Sequence, residues 1–370
     1  MYPRKLTRSI ISNPDYPVVQ TKAGKLRGLW EEGVFLFRGV QYAQAKRFHL
    51  AEPVKPWEGT KEAIIYGPVC KEIPTPIAHD EYNVPHYHYI QDEDCLYLNI
   101  WTKHIEPAKR PVMVWIHGGG FATGSSIELY AYDGMELADF GDVVVVSLNH
   151  RLNCIGYLDL SDYGEEYRTT GNLGQTDLVA ALKWIHENIE AFGGGPGNVT
   201  IMGQSGGGGK VHALLQTPSA APYFQKAVIQ SGLFAGGRDL LPEQSKAFGR
   251  AVVEALGLTR ETIHEIETIP YYKLARACQA VGGMHWGPVK DDGFYFGSGL
   301  LNPFRPESKD KPMLVGSVLG EFDQNYNHVY APGSKNDWDD ALVDKLFGEL
   351  FGDKAQEVKA AQQQAYPQAK

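Results

Sequence analysis

The sequence predicts an α/β fold on a central, mostly parallel sheet, and three observations carry that expectation. Residues 111–117 and 143–148 are nearly continuous apolar runs, the pattern of strands buried on both faces of a parallel sheet. Segments with helical spacing separate these from later short β-prone runs, the alternation of βαβ units with right-handed crossovers. The third is a strand that stops at a glycine, a single serine, and a glycine run leading into a helix-like segment, Thr200-Ile201-Met202-Gly203-Gln204-Ser205-Gly206-Gly207-Gly208-Gly209.

Taken in order, residues 18–40 alternate short β-prone runs with Gly24, Gly28 and Gly33, which reads as an antiparallel hairpin or meander. Residues 46–68 are irregular. Residues 69–94 form a long polar and aromatic stretch, a length that usually marks a functional or mobile loop. Its histidines (His79, His86, His88) and tyrosines (Tyr82, Tyr87, Tyr89) fit a binding cleft and an ordinary surface loop equally well. Residues 96–101 alternate like a strand, and residues 128–140 can form the crossover helix between the two apolar runs. Leu178, Ala181, Leu182, Ile185 and Ile189 mark a helix over residues 174–192, ended by Gly193-Gly194-Gly195-Pro196-Gly197. A strand over 199–202 and a helix over 207–215 follow. Residues 227–230 and 313–316 are two more strands, separated by a helical region around 242–274. Leu342, Leu346 and Leu350 give the tail, residues 337–365, helical spacing. With no internal repeat or low-complexity linker, one α/β domain over residues 1–370 is the simplest organisation.

The composition narrows the classes. Of 370 residues, 43% are hydrophobic and 21% charged, so a large core is expected and global disorder is not. A formal net charge of −9 argues against nucleic acid or an anionic membrane as the main partner, because phosphates would be repelled. No run of about 18 apolar residues predicts a membrane span. Residues 1–20 have no apolar core of a secretory signal. The four cysteines, Cys70, Cys95, Cys154 and Cys278, form no C-x-x-C pair. Free thiols in a reducing cytoplasm are therefore expected, with secretion the alternative if a signal segment has been removed; no metal site and no cofactor are expected.

Gly203-Gln204-Ser205-Gly206-Gly207 fits the G-x-S-x-G nucleophile elbow. Gly203 and Gly207 flank the serine where a side chain would crowd a sharp strand-to-helix turn. Gly206 can offer its N–H to a developing oxyanion. A plain glycine-rich turn fits the five residues as well. A phosphate loop does not, since Lys210 would need a glycine where Gln204 stands and Val211 replaces the required Ser or Thr. Upstream, His117-Gly118-Gly119-Gly120-Phe121 follows directly from an apolar run. Consecutive glycines at a strand end let two backbone N–H groups converge on one point, the requirement of an oxyanion hole.

Together these segments resemble the type-B carboxylesterase/lipase family, which includes cholinesterases and bacterial para-nitrobenzyl esterases. The likeness extends through Glu93-Asp94-Cys95-Leu96-Tyr97-Leu98-Asn99-Ile100, Asn149-His150-Arg151-Leu152, Gly171-Asn172-Leu173-Gly174 and Asn188-Ile189-Glu190-Ala191-Phe192. It implies an α/β-hydrolase fold and ester hydrolysis through an acyl-enzyme. By the resemblance Ser205 is the nucleophile, and Gly119, Gly120 and Gly206 are the oxyanion-hole donors. Glu321 is the acid of the triad, Ser231 helps to orient that acid, and His117 is an orienting group beside the oxyanion glycines. Cys70 and Cys95 match the pair that closes a loop over the active-site gorge in secreted relatives; their oxidation is left open here.

The sequence departs from the family pattern in several places. Gly206 stands where the family usually has alanine, which predicts a looser helix start. Gly195 replaces a frequent aspartate and His150 a usual tyrosine. The main departure is the base. In this fold the histidine follows the acid in chain order, and the only histidine after Glu321 is His328, too close to it to match the family base. His212, on the elbow helix, reads as a residue packed behind the site. These features predict an N-terminal portion of a longer catalytic domain, with a C-terminal fragment of the same protein supplying the histidine. The expected function is a serine carboxylesterase acting on small or medium uncharged esters. The alternatives are a non-catalytic cholinesterase-like binding protein, or lactone or thioester hydrolysis at the same site.

Overall fold

Alternation along the strands sorts the apolar side chains onto two faces of one nine-stranded sheet. The computed structural model describes residues 9–73, 86–233, 240–282, 286–291, 293–300, 302–318, 321 and 338–368. The chain divides into two compact units, one of residues 1–75 and 86–317, the other of residues 76–85 and 318–370. His79, Tyr82 and His328 lie outside the described residues.

The sheet belongs to the first unit. Its strands are β1 (Ile10–Ile11), β2 (Leu29–Glu31), β3 (Val34–Gln41), β4 (Tyr97–Thr102), β5 (Arg110–Ile116), β6 (Val144–Leu148), β7 (Gly194–Gln204), β8 (Lys226–Gln230) and β9 (Met313–Gly316). Their order across the sheet is β1-β2-β3-β4-β6-β5-β7-β8-β9. Pairing is antiparallel from β1 to β6 and parallel from β6 to β9. The sheet is thus mixed: the parallel half lies where the apolar runs predict it, and the N-terminal meander extends it as an antiparallel half. A separate hairpin joins Val18–Gln20 to Lys25–Arg27.

Phe35, Phe37, Leu98, Ile100, Val144 and Val146 face the larger core, whereas Val34, Leu36, Trp101 and Val145 face a smaller one. Every residue of β6 is buried, which is why its sequence is a continuous apolar run rather than an alternating one. On the larger face lies α3 (Leu173–Asn188), whose Leu178, Ala181, Leu182 and Ile185 are completely buried at helical spacing. Each large aliphatic side chain so buried stabilises the fold by roughly 1.5–3 kcal/mol. On the smaller face, α1 (Met135–Gly141) contributes Ala138. The short α2 (Asn153–Tyr157), which precedes α3, is buried throughout.

The expected crossover helix over 128–140 is split into a 3-10 turn, Tyr130–Tyr132, and α1. The reason is Gly134, whose backbone lies against Trp101 and Val145, so that a Cβ there would meet their side chains at 2.7–2.9 Å. The glycine-rich segment after α3 also does more than end it. Gly193, at φ 78°, terminates the 3-10 turn Ile189–Phe192, and Gly194 at once pairs with Arg110. A Cβ on Gly195 would stand 2.9 Å from the Lys109 carbonyl oxygen. Glycine there permits a close backbone approach within β7, which therefore begins earlier than expected.

Register positions the site. Ile116 pairs with both Leu148 and Gly203, Gln204 with Gln230, and Gln230 with Gly316. The parallel strands therefore end level, and the residues that follow them emerge along one edge, where open α/β sheets bind ligands. Two further helices of this unit are α5 (Pro242–Ala255) and α6 (Tyr271–Val281). In the second unit, α7 (Asp340–Phe351) starts with the Asp339 carboxylate accepting from the Leu342 N–H at 2.8 Å. Lys359 of α8 (Ala355–Ala365) pairs with Asp344 of α7. Among the described residues no helix is long and apolar enough to cross a membrane.

Candidate active site

Ser205 sits between β7 and α4 (Gly206–Leu215) at φ 55°, ψ −125°, a region that non-glycine residues occupy at a cost of roughly 1–3 kcal/mol. Two backbone bonds hold it there. The Ser205 N–H donates to the Gln230 carbonyl at 2.8 Å, and the Gly209 N–H donates to the Ser205 carbonyl at 3.0 Å. The turn is possible because Gly203 and Gly207 have no side chains: a Cβ on Gly207 would stand 2.1 Å from the Ile116 carbonyl oxygen, and one on Gly203 2.5 Å from the Gly207 carbonyl carbon. Among the described residues no side chain hydrogen-bonds the Ser205 hydroxyl.

The glycine run after β5 lies directly beside this turn. Gly119 and Gly120 adopt φ 78° and 63°, and the Gly119 carbonyl accepts from the Ala122 and Thr123 N–H groups at 3.2 and 3.1 Å. A Cβ on Gly118 would be 3.7 Å from the Ser205 Cβ, and one on Gly206 would be 2.3 Å from the Gly120 nitrogen. The structure thus brings Ser205, Gly206 and residues 118–120 together. The expected loosening of the helix start is not what is observed. Gly206, Gly207 and Gly208 are buried, and their missing side chains let the helix abut the neighbouring strand ends.

Behind the glycine run lies a buried polar layer. His117, only 1% exposed, makes a 2.9 Å hydrogen bond from Nδ1 to the Gly118 carbonyl. A carbonyl only accepts, so Nδ1 carries the proton. The ring stacks on His150 at 5.3 Å between centroids. Burial, and then the Lys210 charge, hold both imidazoles well below the usual histidine range. Lys210, on α4, is completely buried and donates to the His117 and Gly118 carbonyls at 3.0 and 3.3 Å. Gly124 leaves room for the His117 ring, since a Cβ there would meet Nδ1 at 2.7 Å. The Gly124 N–H donates to Glu72 at 3.0 Å.

Ser231, at φ 49°, follows β8 and donates its N–H to the Gly316 carbonyl at 2.7 Å. Gly232 then packs on Gly208 of the elbow helix. Glu321 belongs to the second unit, where its carboxylate accepts from the Val318 N–H at 3.0 Å. His212 stands about two turns along α4 from Ser205, its Nε2 accepting from the Gly299 N–H at 3.1 Å. All four cysteines are buried free thiols. Tyr87, His88 and Tyr89 from the long loop line a cavity of about 350 Å³ with Tyr66, Trp101 and Tyr130, so this part of the loop does face a cleft.

The family model described as "Carboxylesterase family" matches residues 15–370. The chain belongs to this family. Among carboxylesterase relatives, the para-nitrobenzyl esterase of Bacillus subtilis (strain 168) is 39% identical over 311 residues, covering 82% of this chain and 61% of the relative. The phenmedipham hydrolase of Pseudarthrobacter oxydans is 39% identical over 267 residues, covering 70% of this chain and 51% of the relative. The chain therefore spans about half to three-fifths of these curated relatives. A solved esterase from Clostridium hathewayi, reported to hydrolyse aliphatic aromatic polyesters, superposes with a TM-score of 0.81 at 45% identity over 98% of this chain and 73% of its own. A solved PNB esterase gives 0.77 at 33% identity, over 93% and 71%. The fold is accordingly the α/β-hydrolase fold of the carboxylesterases.

Sequence reasoning passed over Lys210, weighing it only as a phosphate-loop residue. One signal was available: a lysine amid the glycines and apolar residues of a helix read as buried is out of place unless it has partners.

Proposed function

We propose that the chain carries the nucleophile and oxyanion hole of a serine carboxylesterase acting on small or medium uncharged esters. The observation that carries this reading is Ser205, held at φ 55° on a strand-to-helix turn against the glycine run of residues 118–120. In this reading the Ser205 Oγ attacks the ester carbonyl carbon while its proton passes to a base. The resulting oxyanion is bound by the N–H groups of Gly119, Gly120 and Gly206. Collapse of the tetrahedral species breaks the ester C–O bond, and the alcohol leaves with the proton from the base. Water then attacks the acyl-enzyme by the same route and releases the acid. Each oxyanion donor is worth roughly 10²–10³ in rate.

Glu321 is proposed as the acid that orients the base, and Ser231 as a residue that helps to orient that acid; support comes from the family match, which runs through both units. On this reading residues 1–370 belong to one catalytic domain. The base is proposed to be a histidine of a further segment of the same protein. The relatives' greater length favours that source, and His212 is already occupied by Gly299. Esters with an aromatic part are favoured as substrates by the names of two relatives, the para-nitrobenzyl esterase and the esterase reported to hydrolyse aliphatic aromatic polyesters. A reducing, cytoplasmic setting is supported by the four free thiols.

The test is hydrolysis of p-nitrophenyl acetate together with labelling by a fluorophosphonate probe, on the protein that includes the segment carrying the base. Turnover and labelling are both expected, and both should vanish in Ser205→Ala. A protein that neither turns over the ester nor takes the label, or a Ser205→Ala variant that still does both, would sink the reading.

A further inference from the structure

We infer that Lys210 is a positioning residue that sets the Gly118–Gly119 peptide plane for oxyanion binding. The inference rests on the reading of Ser205 as nucleophile and deepens it. A peptide unit is planar and trans, so its C=O and N–H point in opposite directions. The Gly118 carbonyl and the Gly119 N–H are the two ends of one such unit. That carbonyl accepts from Lys210 Nζ at 3.3 Å and lies 2.9 Å from His117 Nδ1. The preceding carbonyl, that of His117, accepts from the same ammonium at 3.0 Å.

Two successive peptide units at the head of the glycine run are therefore held from behind by one side chain. Gly118 and Gly119 have no side chains of their own to brace them, so without these donors their peptide planes are freer to rotate. Donors on a carbonyl oxygen also polarise the amide and strengthen its N–H as a donor. Lys210 has little freedom in turn, being fully buried with its ammonium 5.8 Å from the centroid of the Phe121 ring.

A buried ammonium is a costly way to tie down a loop. Burial brings Lys210 down to about 7, with Glu128 and Cys70 acting in the opposite direction. The groups facing it are Glu128, Cys70 and the imidazoles of His117 and His150, whose charging it opposes. His86 and Glu72 act on Glu128 in turn. Near neutral pH the side chain thus stands between its charged and neutral forms, at two carbonyls of the site.

The test compares wild type, Ser205→Ala and Lys210→Met, a near-isostere without charge or donors, each purified with the segment that carries the base. Each is measured with p-nitrophenyl acetate from about pH 6 to about pH 9.5 and by thermal melting. Thermal melting serves to show that Lys210→Met is folded, since the loss of two hydrogen bonds to buried carbonyls opposes the relief of removing a buried charge. The substitution should lower kcat and kcat/KM together by about 10- to 100-fold with KM little changed. It should also lose the fall in kcat that wild type shows on the alkaline side as Lys210 deprotonates. A folded Lys210→Met with wild-type kcat and an unchanged pH profile overturns the inference and leaves the Ser205 reading intact. A Ser205→Ala protein that retains turnover overturns the reading itself. If Lys210→Met does not fold, the wild-type profile decides, and a kcat that stays flat from about pH 7 to about pH 9.5 overturns the inference.

Discussion

Gly206 and Gly120 meet backbone to backbone: a Cβ placed on Gly206 would lie 2.3 Å from both the nitrogen and the Cα of Gly120. Alanine at 206 must therefore push the glycine run away from the elbow. Displacements of about 1 Å at a reacting site cost on the order of 10² in rate, and forced overpacking costs about 1–3 kcal/mol. Gly206→Ala is expected to lower kcat by about that factor and to lower the melting temperature. Gly209 is the contrast, since its nearest neighbours would lie at 3.7–3.8 Å from a Cβ. Gly209→Ala should keep its activity and gain about 0.5–1 kcal/mol from helix propensity. Parallel ester kinetics and melting curves check both; equal behaviour of the two variants would contradict the contact.

Ser205 at φ 55° stores strain that glycine would not feel. Ser205→Gly is expected to raise stability by about 1 kcal/mol while abolishing ester turnover and fluorophosphonate labelling. Urea denaturation followed by far-UV circular dichroism reads the first effect, and a midpoint below that of wild type would refute it.

Arg151 and Asp177 form a buried pair, with side chains 2% and 0% exposed, joined at 2.8 and 2.7 Å. The same carboxylate accepts the Arg151 N–H at 3.1 Å, and the guanidinium donates to the His49 carbonyl at 2.7 Å. Removing one partner leaves the other charge buried and alone. Asp177→Ala should destabilise by about 3–5 kcal/mol, measured by chemical denaturation. A loss below about 1 kcal/mol would show that water or another group replaces the carboxylate.

Acid should weaken the fold through His117 and His150. Both are held neutral well below the usual histidine range by burial and the Lys210 charge. Once pH falls below the unfolded value of about 6.5, the unfolded chain takes up protons that the folded chain refuses. Stability should then fall with decreasing pH, by up to about 1.4 kcal/mol per pH unit for each imidazole, until the folded values are reached. Lys210, brought down to about 7 by burial, acts in the same direction at higher pH: between about 7 and about 10.4 the unfolded chain binds the extra proton, so stability rises with pH. Melting temperatures at about pH 5.5, 6.5 and 7.5 check the histidine contribution, and His150→Phe should flatten the dependence.

Much of the site was legible because its requirements are local. Gly203 and Gly207 are needed wherever a strand turns sharply into a helix, and the 2.1 and 2.5 Å approaches at these positions show why. The buried face of α3 was equally legible, since Leu178, Ala181, Leu182 and Ile185 repeat at the helical period. The end of that helix at Gly193 followed from its glycine, but the immediate start of β7 at Gly194 did not. It depends on Lys109 of a distant segment lying against Gly195. The split of the 128–140 segment likewise depends on Trp101 and Val145 lying under Gly134.

Periodicity and turn chemistry, which act over a few residues, were enough to say which segments are strands and helices and that Ser205 stands on an elbow. Neighbours across the sheet are another matter, because they depend on register between strands far apart in the chain. The pairing of Ile116 with Gly203 brings the two glycine runs side by side. That pairing is also why Lys210 reaches the Gly118 carbonyl across 92 residues of sequence. No local pattern encodes such a contact; it exists once β5 and β7 are aligned and α4 packs behind them.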